Sequence, residues 1–134
     1  ASDVYKRQYK DRMKFRLAET YLLLAEAYLR QDMPDKAADA VNEVRRRAKV
    51  SDVSDEEMTM DFLLDERIRE LYGEESRRFT LIRTGKLLER VRKYNPEARD
   101  LIQDFHVLWP IPQAIRDANV GNFPQNPGYE GYEG

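Results

Sequence analysis

The sequence predicts an all-α fold in which tetratricopeptide-like helical hairpins precede an irregular C-terminal segment rich in proline and glycine. Apolar residues recur three and four positions apart up to about residue 109, which is the spacing of one helix face. No stretch alternates apolar and polar residues for long enough to indicate a half-buried strand. Beyond residue 109, four of the six prolines and four of the six glycines interrupt the pattern.

Two helices joined by a tight turn begin the predicted fold. The first is expected over residues 12–30, and Pro34 is expected to open the second because a first helical turn needs no amide donor there. Arg45, Arg46 and Arg47 are expected on the outer side of the second helix. The predicted buried faces consist of Leu17, Tyr21, Leu24, Ala25 and Tyr28 in the first helix and Ala37, Val41, Val44 and Ala48 in the second.

This hairpin fits the spacing of a tetratricopeptide repeat, which combines aromatic, leucine and small residues in one helix with alanine and a large apolar residue in the next. The residues that fit are Tyr21, Leu24, Ala25, Tyr28, Ala37 and Val41. Any antiparallel helical pair alternates small and large residues, so a single copy leaves both interpretations open on pattern alone. Stacked repeats would bury one side of this hairpin against preceding repeats, so that side is expected to be exposed here.

Further helices follow the hairpin. Ser54 and Glu57 have the spacing of a capping box, which predicts that a third helix begins there and ends near Gly73. Its apolar stripe is expected to contain Met60, Leu64, Ile68 and Leu71. A fourth helix is predicted over residues 76–94, weakened locally by Gly85.

Proline and asparagine mark the end of the helical part. Asn95 and Pro96 are expected to end the fourth helix, and Pro110 and Pro112 to impose extended backbone on the residues before them. Residues 130–134 are expected to form a flexible tail.

Composition excludes several classes of function. The 134 residues carry a net charge of −2, so no basic field favours the phosphate backbone of nucleic acids. The chain has no cysteine and one histidine, which leaves little from which to build a thiolate metal site or a nucleophilic triad. We therefore expect no nucleic-acid partner, no metal, no cofactor and no catalytic residue.

The densest charged segment, residues 65–83, contains carboxylates that could act as acid and base. Ion pairing is the favoured interpretation, because arginines lie within helical reach of these carboxylates and hold them ionised. The two pairs predicted from spacing are Asp65 with Arg69 and Glu74 with Arg78.

The remaining candidates are single side chains near the C-terminus. His106 lies in an apolar run, so a packed imidazole is favoured over a ligand or a base. Trp109 could stack on a sugar, but burial against the helices is favoured. Tyr129 and Tyr132 are expected in a mobile tail.

Four groups of residues together resemble the SusD/RagB family of nutrient-binding outer-membrane lipoproteins, in the family's order from about residue 12 to the C-terminus. They are residues 16–28; residues 65–71 with Arg77, Phe79, Leu81, Arg83 and Gly85; Leu-Trp-Pro-Ile-Pro at 108–112; and Gln-Asn-Pro-Gly-Tyr at 125–129. The sequence departs from the family at Thr80, where aspartate is common, and at Glu75, where glycine is common. Gly73 is expected to supply that turn instead.

The resemblance implies a surface protein without catalytic activity that captures oligosaccharides and covers a partner TonB-dependent transporter. Its tetratricopeptide helices would form the scaffold that faces the barrel. Family members are several times longer, so residues 9–129 are expected to be the C-terminal part, with the lipid anchor and most glycan contacts in a missing N-terminal part. No ligand-binding residue is carried over.

Residues 3–8 look like the translation of a sequencing adapter, so residues 1–8 are expected to be non-native. The alternative function is a free-standing tetratricopeptide-like adaptor, and an enzyme acting on glycans ranks third.

Overall fold

The structure, a computed structural model, describes residues 15–132. These residues contain six α-helices, one short 3₁₀ helix and no strand, which confirms the predicted all-α fold. They divide into two compact units, one ending at Glu75 and the other beginning at Ser76. The predictions for residues 1–8 and for the first residues of the first helix lie outside the described part of the chain.

The first unit consists of α1 (Leu17–Leu29), α2 (Pro34–Arg47) and α3 (Met60–Glu70). Helix α1 packs against both α2 and α3. In the turn between α1 and α2, Asp32 has a φ of 57° and the Met33 amide donates to the Tyr28 carbonyl at 3.0 Å. Pro34 is the first residue of α2, as predicted, because its missing amide costs nothing in a first helical turn. The tetratricopeptide-like hairpin is therefore present.

The buried face of α1 is shifted by about one position from the predicted one, and Ala25 is the one predicted residue that is fully buried. The predicted residues Leu17 and Leu24 are 67% and 40% exposed, and Tyr21 and Tyr28 are only partly buried. The residues of α1 that are buried are Ala18, Leu22, Ala25 and Glu26. Since α1 is apolar on several sides, spacing alone does not define its inner face, and close packing on α2 favours the face with small alanines.

The buried face of α2 matches the prediction over most of its length. Ala37, Val41 and Val44 are buried, whereas Ala48 is exposed because the helix ends at Arg47. The prediction that Arg45 lies on the outer side is wrong: it is half-buried and pairs with Glu66 of α3 at 2.9 Å.

Helix α3 begins at Met60 rather than near Ser54. The predicted capping-box bonds do form, with Ser54 N donating to Glu57 Oε2 at 3.2 Å and Glu57 N to Ser54 Oγ at 3.4 Å, but they close an isolated turn. Thr59 caps the helix instead, its hydroxyl accepting the Phe62 amide at 3.2 Å.

The apolar stripe of α3 is confirmed at Leu64 and Leu71, which are buried, while Met60 is partly buried. Ile68 is exposed, and Leu63 takes an inner position that the prediction did not assign. Gly73, with a φ of 75°, lies in the turn that follows the helix, as expected.

The connection between α2 and α3 is attached to α2 by one buried amide. Asn42 Nδ2 donates to the Val53 carbonyl at 3.0 Å, and Val53 N donates to Asn42 Oδ1 at 2.8 Å. The Asn42 side chain therefore provides the donor and the acceptor that another backbone segment would provide in regular structure.

The second unit contains α4 (Arg77–Arg83), α5 (Leu87–Tyr94), the 3₁₀ helix (Asp104–Val107) and α6 (Gln113–Asp117). The predicted single helix over residues 76–94 is thus two helices. Gly85 has a φ of 70°, and the Lys86 amide donates to the Leu81 carbonyl at 2.8 Å, which ends α4. Helix α5 ends before Asn95, as predicted.

Candidate functional site

The two motifs that close the chain bind each other in the second unit. Gln125 is buried, and its side-chain amide pairs with the backbone of Ile111: Nε2 donates to the carbonyl at 2.9 Å and Oε1 accepts the amide at 2.7 Å. Because Pro110 and Pro112 lack amide donors, segment 108–112 cannot join an ordinary strand ladder. Side chains from 125–129 supply its partners instead.

Two further side chains complete this contact. Asn126 Nδ2 donates to the Trp109 carbonyl at 2.7 Å, and the Tyr129 hydroxyl donates to the Leu108 carbonyl at 2.9 Å. The prediction that Tyr129 lies in a mobile tail is therefore wrong, since its hydroxyl and its ring are both held. The Tyr129 ring meets Phe105 edge to face, with centroids 5.0 Å apart.

Gly128 allows this close approach. Its φ is 86°, a conformation that other residues rarely adopt, and a Cβ there would overlap the Phe105 ring. The sequence motif contains this glycine without showing why it is needed, and the neighbouring aromatic ring gives the reason.

His106 is packed rather than free. Its imidazole lies 4.2 Å from the Phe105 ring, centroid to centroid, and Nδ1 accepts the Gln103 amide at 2.7 Å. This geometry agrees with the favoured packed imidazole. A nitrogen that accepts a backbone amide is unavailable to a metal ion.

Trp109 differs most clearly from its prediction. The sequence favoured burial, but the side chain is 57% exposed. The guanidinium carbon of Arg78 lies 4.3 Å from the centroid of its ring, and Arg78 also donates through Nη2 to the His106 carbonyl.

The first unit carries an open groove of about 250 Å³ on the α1–α2 hairpin. It is lined by Tyr21, Leu24, Tyr28, Lys36, Asp39, Ala40 and Glu43. The groove combines two phenol rings with charges of both signs, and the Lys36 ammonium lies 5.8 Å from the Tyr28 ring centroid. Three of these residues belong to the repeat pattern that the sequence predicted to be buried.

The charged segment forms ion pairs, as favoured, but Arg69 and Glu74 have partners other than those predicted. Arg69 pairs with Glu66 at 2.5 Å, and Glu66 also binds Arg45. Glu70 binds both Arg16 and Arg47, and Arg16 also binds Glu74 at 2.5 Å. Spacing along one helix could not reveal the contacts that join different helices.

Arg67 and Glu75 form the most buried of these pairs. Arg67 is 1% exposed, and its Nε and Nη2 lie 2.7 and 2.5 Å from Glu75 Oε1. Glu75 thus supplies a counter-charge for an arginine inside the first unit, while Gly73, with its positive φ, lies in the preceding turn.

Residues 15–132 contain no cluster of three or more histidine, cysteine, aspartate or glutamate side chains placed to hold a metal ion. Within the same residues, every helix is too short or too polar to cross a membrane.

Residues 15–132 thus define an all-α protein in which side-chain amides join the two closing motifs. The model of the SusD family matches residues 2–129, and the chain belongs to that family.

Curated relatives agree. The starch-binding protein SusD of Bacteroides thetaiotaomicron is 35% identical over 125 residues, which cover 87% of this chain and 21% of that protein. A SusD-like protein of Formosa agariphila is 36% identical over 113 residues, covering 76% and 21% respectively. The chain therefore spans about a fifth of the length of these relatives. No solved structure matches it.

Proposed function

We propose that this chain is the C-terminal part of a lipid-anchored outer-membrane protein that captures oligosaccharides at the cell surface and passes them to a TonB-dependent transporter. The observation that carries the proposal is the family match over residues 2–129. A relative named for starch binding supports a glycan as the nutrient. The proposal includes no catalytic step, in keeping with carboxylates that are paired with arginines rather than paired with each other.

Most residues of this chain act as scaffold in the proposal. The exposed side chains of Leu17 and Leu24 lie on a hairpin whose pattern is that of a stacking repeat. We assign this side of the hairpin to contact with preceding repeats, and the helical scaffold to the face that meets the transporter. The lipid anchor and most of the glycan contacts are assigned to the remaining length found in the relatives.

A free-standing adaptor is the second candidate, and the groove on the α1–α2 hairpin favours it. Aromatic side chains flanked by Lys36 and Glu43 would suit an amphipathic peptide helix. In this alternative the groove binds a separate protein rather than a preceding repeat.

Sequencing the source DNA upstream of Tyr9 distinguishes the two candidates. The capture protein predicts a continuous reading frame several times longer than this chain, which opens with a lipoprotein signal beside a transporter gene. A short frame with its own start, no signal and no transporter neighbour would support the adaptor and contradict the capture role.

A further inference from the structure

The backbone around Trp109 is held at three positions. The Leu108 carbonyl accepts from Tyr129, the Trp109 carbonyl from Asn126, and the Ile111 backbone pairs with Gln125. Proline at 110 restricts the remaining freedom. The indole therefore projects from a backbone whose position is fixed before any ligand arrives, which lowers the entropy cost of binding.

A cation covers one face of the indole. The Arg78 guanidinium stacks at 4.3 Å from the ring centroid, so it occupies a single face. The residue is nevertheless 57% exposed, and the face opposite Arg78 is the one on which a ligand could stack. The bond from Arg78 to the His106 carbonyl holds the guanidinium in place behind the ring.

An open indole face has a specific ligand chemistry. It offers a flat, apolar surface with a single N–H donor at its edge. A pyranose ring matches both features, because its axial C–H groups form an apolar face and its hydroxyls surround that face.

We propose that Trp109 is a stacking site for one pyranose ring of an oligosaccharide, bound on the ring face that Arg78 does not cover. This inference rests on the proposed function and adds a sugar contact within this chain. Trp109 would contribute one contact, in addition to those assigned to the rest of the longer protein.

The chain itself provides the readout, because Trp109 is its only tryptophan. Purified chain is titrated with maltoheptaose, cellohexaose, laminarihexaose and mannohexaose, and tryptophan emission is followed at an excitation that tyrosine does not absorb. We expect a saturable shift to shorter wavelength with at least one of these probes, and none with sorbitol at equal concentration.

Variants locate the contact by calorimetry, which needs no tryptophan. Trp109→Ala is expected to weaken binding at least about tenfold, and Trp109→Phe to weaken it less because a flat ring remains. Phe79→Ala is the matched control, since Phe79 is an aromatic residue of the same unit that is 62% exposed; its binding should equal that of the unaltered chain. If Trp109→Ala fails to fold, the affinity of Trp109→Phe measured by calorimetry tests the proposal instead.

Two results would overturn the inference, and both are distinguishable from a failure of the proposed function. If a probe binds equally well to the chain and to both Trp109 variants, the sugar contact lies elsewhere and the capture role stands. If no probe shifts the emission, Trp109 is not a sugar site, and the capture role then depends on the upstream reading frame alone.

Discussion

At the scale of single residues, the first unit depends on charges that are taken out of water in pairs. Arg67 is almost completely buried, and two of its nitrogens bind Glu75. The Glu19 carboxylate is more distant, at 3.8 Å. Removing one partner of a buried ion pair strongly destabilises the fold, because the other charge stays buried without a partner.

Glu75→Ala should therefore destabilise the chain strongly, by about 3–5 kcal/mol, because it leaves Arg67 buried without its main counter-charge. Thermal unfolding followed by circular dichroism measures the loss. The control is Asp52→Ala, which breaks the exposed pair between Asp52 and Arg46 and should have a much smaller effect. Equal melting temperatures for the two variants would contradict the role given to Glu75.

Glu57 provides a test by titration. The Ser54 amide and the Ser54 hydroxyl both donate to the Glu57 carboxylate. These bonds, the amide having the larger effect, hold the pKa of Glu57 below its ordinary value of 4.5. Because the folded pKa is lowered, the stabilisation is present above the unfolded pKa and is lost as the pH falls through the folded pKa.

Ser54→Ala should raise the pKa of Glu57 part of the way back towards 4.5, because the backbone donor remains. Ser54→Thr keeps a hydroxyl and should leave the pKa low. Carbon-detected NMR titration of Glu57 reports both values. An unchanged pKa in Ser54→Ala would show that the hydroxyl does not bind the carboxylate in solution.

At the scale of elements, Gly85 ends α4 and Gly128 allows the close contact between the two closing motifs. Gly85 and Gly128 both have positive φ, but their surroundings differ. A Cβ at Gly85 would have no atom within 4 Å, whereas one at Gly128 would overlap Phe105. Backbone strain is thus common to both positions, and steric conflict is specific to the second.

Gly85→Ala should cost roughly 1–2 kcal/mol, the penalty of left-handed backbone for a residue with a Cβ. Gly128→Ala should cost clearly more, because Phe105 must also move and the contact of the two closing motifs depends on that position. Chemical denaturation followed by Trp109 fluorescence measures both. A Gly128→Ala penalty no larger than that of Gly85→Ala would contradict the packing described for Phe105.

The same elements show how far the sequence predicts the fold. Pro34 locates the α1–α2 turn correctly because its effect is local and steric. The Ser54 and Glu57 pattern predicts the wrong start for α3, because the same hydrogen bonds form in an isolated turn and at a helix start. Gly85 could be assigned a helix penalty, but helical spacing does not reveal the positive φ with which it ends α4.

The candidate surface was only partly predictable, for a related reason. The sequence raised sugar stacking for Trp109 but could not determine its exposure, which depends on the contacts that residues 125–129 make with 108–112. The distant partners of Glu66, Glu70 and Glu75 are likewise set by tertiary packing, which spacing within one helix does not encode.

At the scale of the whole molecule, the helical unit leaves apolar surface on α1 uncovered. Leu17 and Leu24 are exposed on the helix that carries the aromatic groove, as expected of a repeat that stacks on neighbours. Exposed apolar area of this kind usually marks an interaction surface.

The purified chain should therefore bind an apolar fluorescent dye and self-associate. A double variant, Leu17→Lys with Leu24→Lys, should reduce both effects without loss of helicity, because both side chains are exposed. Leu22→Lys is the contrasting variant, since Leu22 is fully buried and its replacement should unfold the helices. A strictly monomeric chain with a sharp melt and no dye binding would contradict the stacking role of this face.

The most direct test of the capture role uses the protein in its own cell envelope. Antibodies raised against residues 15–132 would isolate the intact protein from detergent-solubilised outer membranes of the source organism, with mass spectrometry of whatever accompanies it. The account predicts a protein several times longer than this chain, recovered together with a TonB-dependent transporter. Recovery from the soluble fraction at the length of this chain, without a transporter, would contradict it.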